Sequence, residues 1–228
     1  GGAIQYLDNL GLITDRSLFF HAANLNEKEI DLFAVRGASI VHNPECNAGA
    51  WNRSVAYVPY YLDAGVTVGL GSDGAPRDMF GQMMLTQYLH NVMPREKNTL
   101  DSSVPFRLAT EGSAIALRLD KEIGTLEAGK RADMIAIDLE SNTSLGVVHK
   151  NTLFKFINNG NLGNYVSDVM VDGIFLLSNN EFTIFDEEAI TARMKERLDQ
   201  YVNWYEAKRK SRPGRTMIDL VHEEFIKI

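Results

Sequence analysis

The chain has 228 residues and a formal net charge of −7, and 45% of its residues are hydrophobic while 23% are charged. This balance is typical of a folded globular protein with one large or two modest domains, and it excludes a disordered or collagen-like chain. The longest apolar runs fall short of the roughly eighteen residues that cross a bilayer, so no membrane partner is predicted. The acidic balance likewise argues against a nucleic-acid partner. The single cysteine, Cys46, cannot form an internal disulfide, so a cytoplasmic location is the default expectation.

The first half of the chain alternates short apolar runs with helical patterns. Residues 17–22 predict a buried strand, and Asn26 then predicts a helix N-cap, with Glu29 in capping-box register and Gly37 at the helix end. The alternation continues with predicted strands at 39–42 and 66–70 and predicted helices at 60–64 and 78–93. This order is typical of parallel βαβ units, and it fits a barrel and a doubly wound sheet equally well.

The second half of the chain has a different sequence pattern. A helical region is predicted over 103–119 with a break near Gly112, and an apolar run over 132–139 predicts a strand. The pair Asp172-Gly173 predicts a type I′ hairpin between apolar runs. These elements indicate antiparallel β structure. The remaining predictions are a turn at Asn179-Asn180, a strand at 182–185, and a last helix capped by Asp186 that runs to about Lys210.

Polar side chains follow each of the three early strands. His21 ends the first, His42 and Asn43 end the second, and Asp73 follows the third. Parallel strands of a barrel all point the same way, so these groups would converge at one mouth, where such enzymes carry out their chemistry. Two histidines and an aspartate at that place favour a hydrolytic site in which a metal lowers the pKa of bound water to about 7.

Each of these residues also has a simpler interpretation. His21 could be a hydrogen-bonded polar group at a strand end, His42 could anchor a turn, and Asp73 could belong to an ordinary Asp-Gly turn. Cys46 has no base beside it in the sequence, so a nucleophilic role is not predicted for it. The other histidines are interpreted as structural or exposed: His90, His149 and His222.

Several separated segments, in order, resemble the amidohydrolase superfamily. They are residues 18–30 (LFFHAANLNEKEI), 41–47 (VHNPECN), 64–74 (AGVTVGLGSDG), 109–114 (ATEGSA), 123–138 (IGTLEAGKRADMIAID) and 169–173 (VMVDG). The resemblance runs from about residue 4 to residue 195. The chain is most similar to the chlorohydrolase and deaminase branch, which includes S-adenosylhomocysteine/methylthioadenosine deaminases, triazine hydrolases and guanine deaminases.

The resemblance implies an α/β fold, in which the chain forms the C-terminal part of a (β/α)₈ TIM-type barrel, part of a β-sandwich and a C-terminal helix. It places barrel units at 1–120, the sandwich portion at 121–186, and the helix and tail at 187–228. It also implies roles for individual residues. Asp73 matches the aspartate after the eighth strand, which binds the metal and takes a proton from the attacking water. His21 matches the catalytic histidine after the sixth strand.

Three further residues are expected to contact substrate. His42 and Asn43 follow the seventh strand and are placed on the rim, and Trp51 lies in the loop over 48–54, which differs from the family's usual small-residue pattern. The family's His-x-His motif does not occur in the sequence, and its fifth-strand histidine and glutamate are also absent. The chain therefore resembles the C-terminal half of a family member, with Asp73 as the one ligand it supplies.

The function that the resemblance implies is hydrolytic deamination, or dechlorination, of a purine- or triazine-like heterocycle by water activated on one divalent metal. Zinc is the expected metal and iron the alternative, with the ligands other than Asp73 outside this chain. The expected partners are the missing N-terminal half, without which the segment is expected to be inactive, and a second copy in a homodimer. Two other functions stay open: a non-catalytic fragment or assembly module, and a hydrolase that opens cyclic amides.

Overall fold

A computed structural model describes residues 2–49, 54–74, 78–93, 100–139, 149, 152–158, 162–211, 214 and 216. The chain divides into two units, residues 1–180 and residues 181–228. The three segments predicted from the sequence have boundaries at 120 and 186, and these boundaries stay predictions.

The first part of unit 1 alternates helices and strands as the sequence predicts. Its elements are α1 (Ala3–Asn9), β1 (Leu18–Phe20), α2 (Glu27–Arg36), β2 (Ser39–His42), α3 (Pro44–Ala48), α4 (Val58–Asp63), β3 (Thr67–Leu70) and α5 (Met79–Val92). The three strands form a parallel sheet in the order β1-β2-β3, and Ser39 lies opposite both Leu18 and Thr67. The predicted parallel βαβ order is confirmed, whereas closure into a barrel stays a prediction.

Local signals in the sequence set the ends of the helices. The Asn26 side chain accepts a hydrogen bond from the Glu29 backbone N–H at 3.2 Å, and the Glu29 carboxylate accepts one from the Asn26 backbone N–H at 3.0 Å. Gly37 ends α2 with φ of 71°, a left-handed conformation that glycine adopts without a Cβ clash. Asp78 caps α5 through the Phe80 N–H at 3.0 Å. All three predictions are confirmed.

The side chains of the parallel sheet alternate between two different environments. Phe19 packs against the fully buried Phe33 of α2, with ring centroids 4.5 Å apart. Its neighbour Phe20 points to the opposite face and is 61% exposed. Ile40 pairs with Phe19 in the ladder and is fully buried as well. Helices therefore cover the face that carries Phe19 and Ile40, and the opposite face is open at Phe20.

A helical segment lies along the outer edge of β3. It consists of α6 (Val104–Arg107), a π-helical turn (Leu108–Gly112) and α7 (Ser113–Ala116), so a helical region within the predicted 103–119 is confirmed. The predicted break near Gly112 is wrong, because Gly112 keeps helical φ and ψ angles of −61° and −42° where the π-helical turn continues into α7. The Leu70 N–H donates to Ser113 Oγ at 3.1 Å, and Ser113 Oγ donates to the Leu108 carbonyl at 2.7 Å. A side chain thus satisfies a backbone donor at this edge of the sheet.

Antiparallel structure follows in the rest of unit 1. It comprises β4 (Met134–Ile137), α8 (Leu153–Ile157), a 3₁₀ turn (Leu162–Tyr165), β5 (Val166–Val171) and β6 (Ile174–Ser178), with β5 hydrogen-bonded between β4 and β6. Asp172 and Gly173 join β5 to β6 with φ of 50° and 78°. Two positive φ angles are what a type I′ turn requires, so the predicted hairpin is confirmed. Its membership of a β-sandwich stays a prediction.

Unit 2 contains β7 (Glu181–Phe182) and α9 (Glu187–Ser211). Asp186 caps α9, as predicted, because its Oδ1 accepts from the Ala189 N–H at 3.0 Å. The strand predicted over 182–185 is wrong in extent. The rings of Phe182 and Phe185 stack with centroids 4.3 Å apart, which a continuous strand does not allow, because residues three apart in a strand face opposite sides. No helix in the described ranges combines the length and the apolar character that a membrane span requires.

Candidate functional site

Two of the predicted residues meet at the carboxyl edge of the parallel sheet. His21 directly follows β1, and Asp73 lies three residues beyond β3. His21 Nε2 is 3.2 Å from Asp73 Oδ2, and the side chains are 39% and 44% exposed. The pair is therefore within hydrogen-bond reach and open to a ligand from outside.

The backbone at both positions adopts the left-handed conformation. The φ angles are 69° at His21, 46° at Ala22 and 52° at Asp73. A residue with a Cβ loses roughly 1–2 kcal/mol in this region, so surrounding contacts must hold the turns. The His21 N–H donates to the Val41 carbonyl at 3.0 Å, and the Tyr61 hydroxyl donates to the Ala22 carbonyl. Burial raises the pKa of Tyr61 to about 12, so this phenol stays a donor at neutral pH.

Helix α3 holds the imidazole of His21 in place. Asn47 Oδ1 lies 2.6 Å from His21 Nδ1. An amide oxygen only accepts, so this contact is a hydrogen bond when Nδ1 carries a proton, and Nε2 faces Asp73 on the other side of the ring. Asn43 is buried behind the ring, with its Nδ2 3.4 Å from the same Nδ1. Asn43 therefore lies in the site, beside the histidine.

Cys46 is the site residue that sequence reasoning missed. Its Sγ lies 3.1 Å from Asp73 Oδ2, and the thiol donates to that carboxylate. This hydrogen bond is the main cause that raises the pKa of Cys46, and burial and the negative charges of Asp73 and Glu45 add to it. The two residues are 27 positions apart, so no local pattern in the sequence joins them.

A buried polar contact fixes α3 against α5. Gln82 is fully buried, and its Nε2 donates to Glu45 Oε2 at 2.6 Å. No helix is predicted from the sequence between Asn43 and residue 60, although Pro44, which occupies the first turn of α3, is a signal for one. The anchored helix presents Cys46 and Asn47 to the site on consecutive positions.

His42 lies in the core and not on the rim, so that expectation is wrong. Its side chain is fully buried, and its ring lies edge-on to His90 with centroids 5.5 Å apart. The reason is strand alternation, since His42 shares the helix-covered face with Ile40 while Asn43 faces the other side. Burial first, and the neighbouring His90 second, lower the pKa of His42 to about 3. Neither ring nitrogen of His42 has a hydrogen-bond partner among the described residues.

The other histidines and Trp51 add no group to the site. His90 is buried, with Nδ1 2.7 Å from the Thr86 carbonyl and Nε2 accepting from the Val58 N–H at 3.0 Å, so its predicted structural role is confirmed. His149 is exposed, as predicted. Trp51 and His222 lie outside the described residues, and the expected substrate contact of Trp51 stays a prediction.

The assembled side chains fit a divalent metal. His21 Nε2, Cys46 Sγ and an oxygen of Asp73 all lie within 4.8 Å of one another. Imidazole, thiolate and carboxylate are the three ligand types that zinc takes in proteins. One cation could therefore bridge atoms from this cluster, with Asp73 as the residue that the sequence predicts for it.

The fold and the site together define a class of α/β protein. In this class the functional polar side chains lie at the carboxyl ends of parallel strands. Residues 1–176 match the model of the amidohydrolase family, and the chain belongs to that family. The predicted resemblance to this family is thus confirmed.

Two curated relatives of this chain have the same name. The chain is 32% identical over 201 residues to the 5-methylthioadenosine/S-adenosylhomocysteine deaminase of Syntrophomonas wolfei, and the match covers 85% of this chain and 45% of the relative. It is 39% identical over 142 residues to the deaminase of the same name from Nitratidesulfovibrio vulgaris, covering 60% of this chain and 32% of that relative. The chain thus spans about a third to a half of the length of these relatives.

Solved structures show the same fold with zinc. An adenosine deaminase from Xanthomonas campestris with bound zinc matches with a TM-score of 0.75 and 30% identity, over 86% of this chain and 45% of that one. Atrazine chlorohydrolase from Arthrobacter aurescens TC1, complexed with zinc, matches with a TM-score of 0.73 and 29% identity, over 84% and 43% of the two chains.

Proposed function

We propose that this chain supplies the C-terminal part of a (β/α)₈ barrel and part of a β-sandwich in a zinc-dependent deaminase. The observation that carries the proposal is the His21–Asp73 pair, 3.2 Å apart at the carboxyl edge of a parallel sheet. The names of the curated relatives support a purine nucleoside derivative as the substrate. The zinc in the related adenosine deaminase and chlorohydrolase supports zinc as the metal.

In this proposal, Asp73 is a metal ligand and a general base. A divalent cation, when bound at this edge, lowers the pKa of water to about 7 and so supplies a nucleophile at neutral pH. The part-exposed carboxylate of Asp73 takes a proton from that water. His21 lies beside Asp73, where it stabilises charge that develops near the reacting carbon.

The overall reaction exchanges an amino group for an oxygen. The water oxygen bonds to the ring carbon, the carbon–nitrogen bond breaks, and the nitrogen leaves as ammonia with one proton of the water, while the other proton ends on the ring nitrogen of the product. Asp73 carries one of these protons from the water toward the leaving nitrogen. Asn47 keeps the His21 ring oriented throughout, because its amide oxygen lies 2.6 Å from Nδ1.

The remaining metal ligands and the residue that protonates the ring nitrogen belong, in this proposal, to an N-terminal half outside this chain. Residues 1–228 contain no His-x-His motif, so an isolated segment is expected to be inactive. We also propose that the complete protein forms a homodimer and lies in the cytoplasm.

The proposal is tested by Asp73→Asn in the protein that includes the N-terminal half. Loss of a positioned general base lowers the rate by about 10²- to 10⁴-fold, so ammonia release from 5′-methylthioadenosine or S-adenosylhomocysteine should fall by at least about 100-fold. Asp63→Asn, an exposed carboxylate at the end of α4, is the matched control and should leave turnover unchanged. A variant that retains most of kcat without Asp73 would remove this residue from the mechanism.

Dechlorination of a triazine is the second candidate, favoured by the likeness to atrazine chlorohydrolase at a TM-score of 0.73. The two activities differ in the atom that leaves. Chloride release from atrazine without ammonia release from the purine substrates supports the second candidate. A complete protein that takes up no stoichiometric metal after reconstitution would instead support a non-catalytic module.

A further inference from the structure

We propose that α9 is the interface of the homodimer, and that it binds α9 of a second copy of this chain in antiparallel orientation. The inference rests on the proposed function only in its homodimer, and it uses no residue of the site at the sheet edge. It names the surface on which two copies meet, which the proposed activity leaves open.

The side chains of α9 form an apolar stripe on one side of the helix and a polar surface on the other. The helix has 25 residues, and at about 100° per residue six of its apolar or aromatic side chains fall within a sector of about 120°. They are Ile190, Met194, Leu198, Tyr201, Val202 and Tyr205. The opposite side carries Glu196 and Gln200, where Gln200 Nε2 donates to Glu196 Oε1 at 3.0 Å. The polar side is therefore the one suited to water.

The apolar stripe is uncovered in the structure. No residue of α9, all of which the structure describes, is buried. Met194 is 68% exposed, Leu198 is 60% exposed, and Ile190 and Val202 are each 43% exposed. A helix on the surface of a globular protein normally turns such side chains toward the core. Contiguous exposed apolar side chains are characteristic of protein contact surfaces, so the stripe indicates a surface that a partner covers.

The charges at the two ends of α9 favour a second copy in antiparallel orientation as that partner. Glu187 and Glu188 lie in the first turn, and Lys208, Arg209 and Lys210 lie in the last. When two α9 helices run antiparallel, each acidic end lies beside the basic end of the other helix, whereas a parallel pair brings like charges together. Antiparallel helices also place the opposite ends of their dipoles side by side.

Pairing of the acidic and basic ends fixes the register of the two helices. Leu198 lies midway between the acidic and the basic turn, so it lies beside its own counterpart in the second copy. Met194 then lies near Val202 of the second copy, and two exposed side chains cover each other. Ile190 lies about 25 Å from its counterpart, because each residue adds about 1.5 Å along the axis. The matched family model ends at residue 176, before α9 begins, so it assigns no other partner to this helix.

Disulfide crosslinking tests this register on the 228-residue chain. Cys46→Ser removes the single native thiol, so an added cysteine is the only site of disulfide formation. In this background we expect Leu198→Cys to form a crosslinked dimer under mild oxidation. Ile190→Cys, on the same stripe, should form at least about tenfold less, because a disulfide needs Cα atoms within about 7 Å of each other. Asn203→Cys, on the polar side, is the matched control and should form as little.

Sedimentation velocity on the complete protein measures the dimer itself. Leu198→Asp buries a charge at the centre of the pair, so it should raise the dimer dissociation constant at least about tenfold. Gln200→Asp, on the polar side of the same helix, is the matched control and should leave the constant unchanged. Circular dichroism checks that each variant is folded.

Charge reversal tests the antiparallel orientation. Glu187→Arg places like charges beside the basic turn of the second copy, so it should raise the dissociation constant about threefold or more at low salt. Adding Arg209→Glu to that variant restores opposite charges and should return the constant to its original value.

Two crosslinking results overturn the inference. Equal yields from Ile190→Cys and Leu198→Cys show that the helices do not pair in antiparallel register. A Leu198→Cys yield no higher than that of Asn203→Cys shows that α9 does not bind its counterpart, as expected if the N-terminal half covers the stripe. A complete protein that dimerises through α9 but releases no ammonia contradicts the proposed activity and supports the interface. One that releases ammonia as a monomer contradicts the interface alone.

Discussion

At the scale of single residues, burial decides whether His42 can hold a proton. His21 and His42 both lie at strand ends, yet His21 is 39% exposed while His42 is fully buried. An uncharged ring is the form that a buried histidine takes when no partner offsets the loss of hydration. Because the ring of His42 packs beside His90, a second imidazole further opposes its protonation.

The stability of the fold should therefore depend on pH through His42. Its pKa falls from 6.5 in the unfolded chain to about 3 in the fold, so only the unfolded state binds the proton between these values. The contribution of His42 is fully present above pH 6.5 and is lost as the pH falls toward 3, by about 1.4 kcal/mol per pH unit. Urea unfolding at several pH values between 7 and 4 measures the slope. His42→Leu should flatten it, while His149→Gln, at an exposed position, should retain it. An unchanged slope in His42→Leu contradicts this assignment.

At the scale of elements, the backbone of the π-helical turn lies very close to the backbone of β3, and this contact decides how the turn packs. A Cβ placed on Gly112 would overlap the carbonyl oxygen of Val68 in β3 and lie 3.2 Å from the Arg107 carbonyl oxygen. Glycine is thus required here for contact between the helical segment and the strand that leads to Asp73. Ser113, the first residue of α7 after this turn, accepts a hydrogen bond from the Leu70 N–H.

Gly112→Ala should therefore destabilise the fold by about 1–3 kcal/mol, since neither backbone group can yield without moving an element. Gly74→Ala is the matched control, because a Cβ at Gly74 meets no atom within 4 Å. Thermal unfolding followed by circular dichroism measures both variants. A melting temperature for Gly112→Ala equal to that of the control would mean that the strand and the turn separate easily.

At the scale of the whole molecule, the β1 side of the parallel sheet is open in the described part of the chain. Among the described strands, β1 pairs only with β2, and Phe20 is 61% exposed on the face away from the helices. Unpaired strand edges favour association with another strand. This arrangement suits a preceding parallel strand, which is the partner that the proposed N-terminal half would supply.

The 228-residue chain by itself should consequently self-associate, and sedimentation velocity should resolve species larger than a monomer. Phe20→Asp should reduce the association by placing a charge on the open face. Val35→Asp is the matched control, because Val35 is 79% exposed but lies on α2. A monodisperse monomer that melts cooperatively would contradict the need for a covering segment.

The sequence by itself determined the features that depend on neighbours a few positions away. The capping box of Asn26 and Glu29, the Asp172-Gly173 turn and the order of parallel strands were all predictable, because caps, turns and periodicity are local. The positions of His21 and Asp73 at strand ends followed from the same pattern. Only the tertiary structure decided that His42 faces the helices and that α3 carries Cys46 to Asp73, 27 positions away. The reason is that such contacts depend on how α3 packs against α5, and packing geometry is set by side chains from distant parts of the chain.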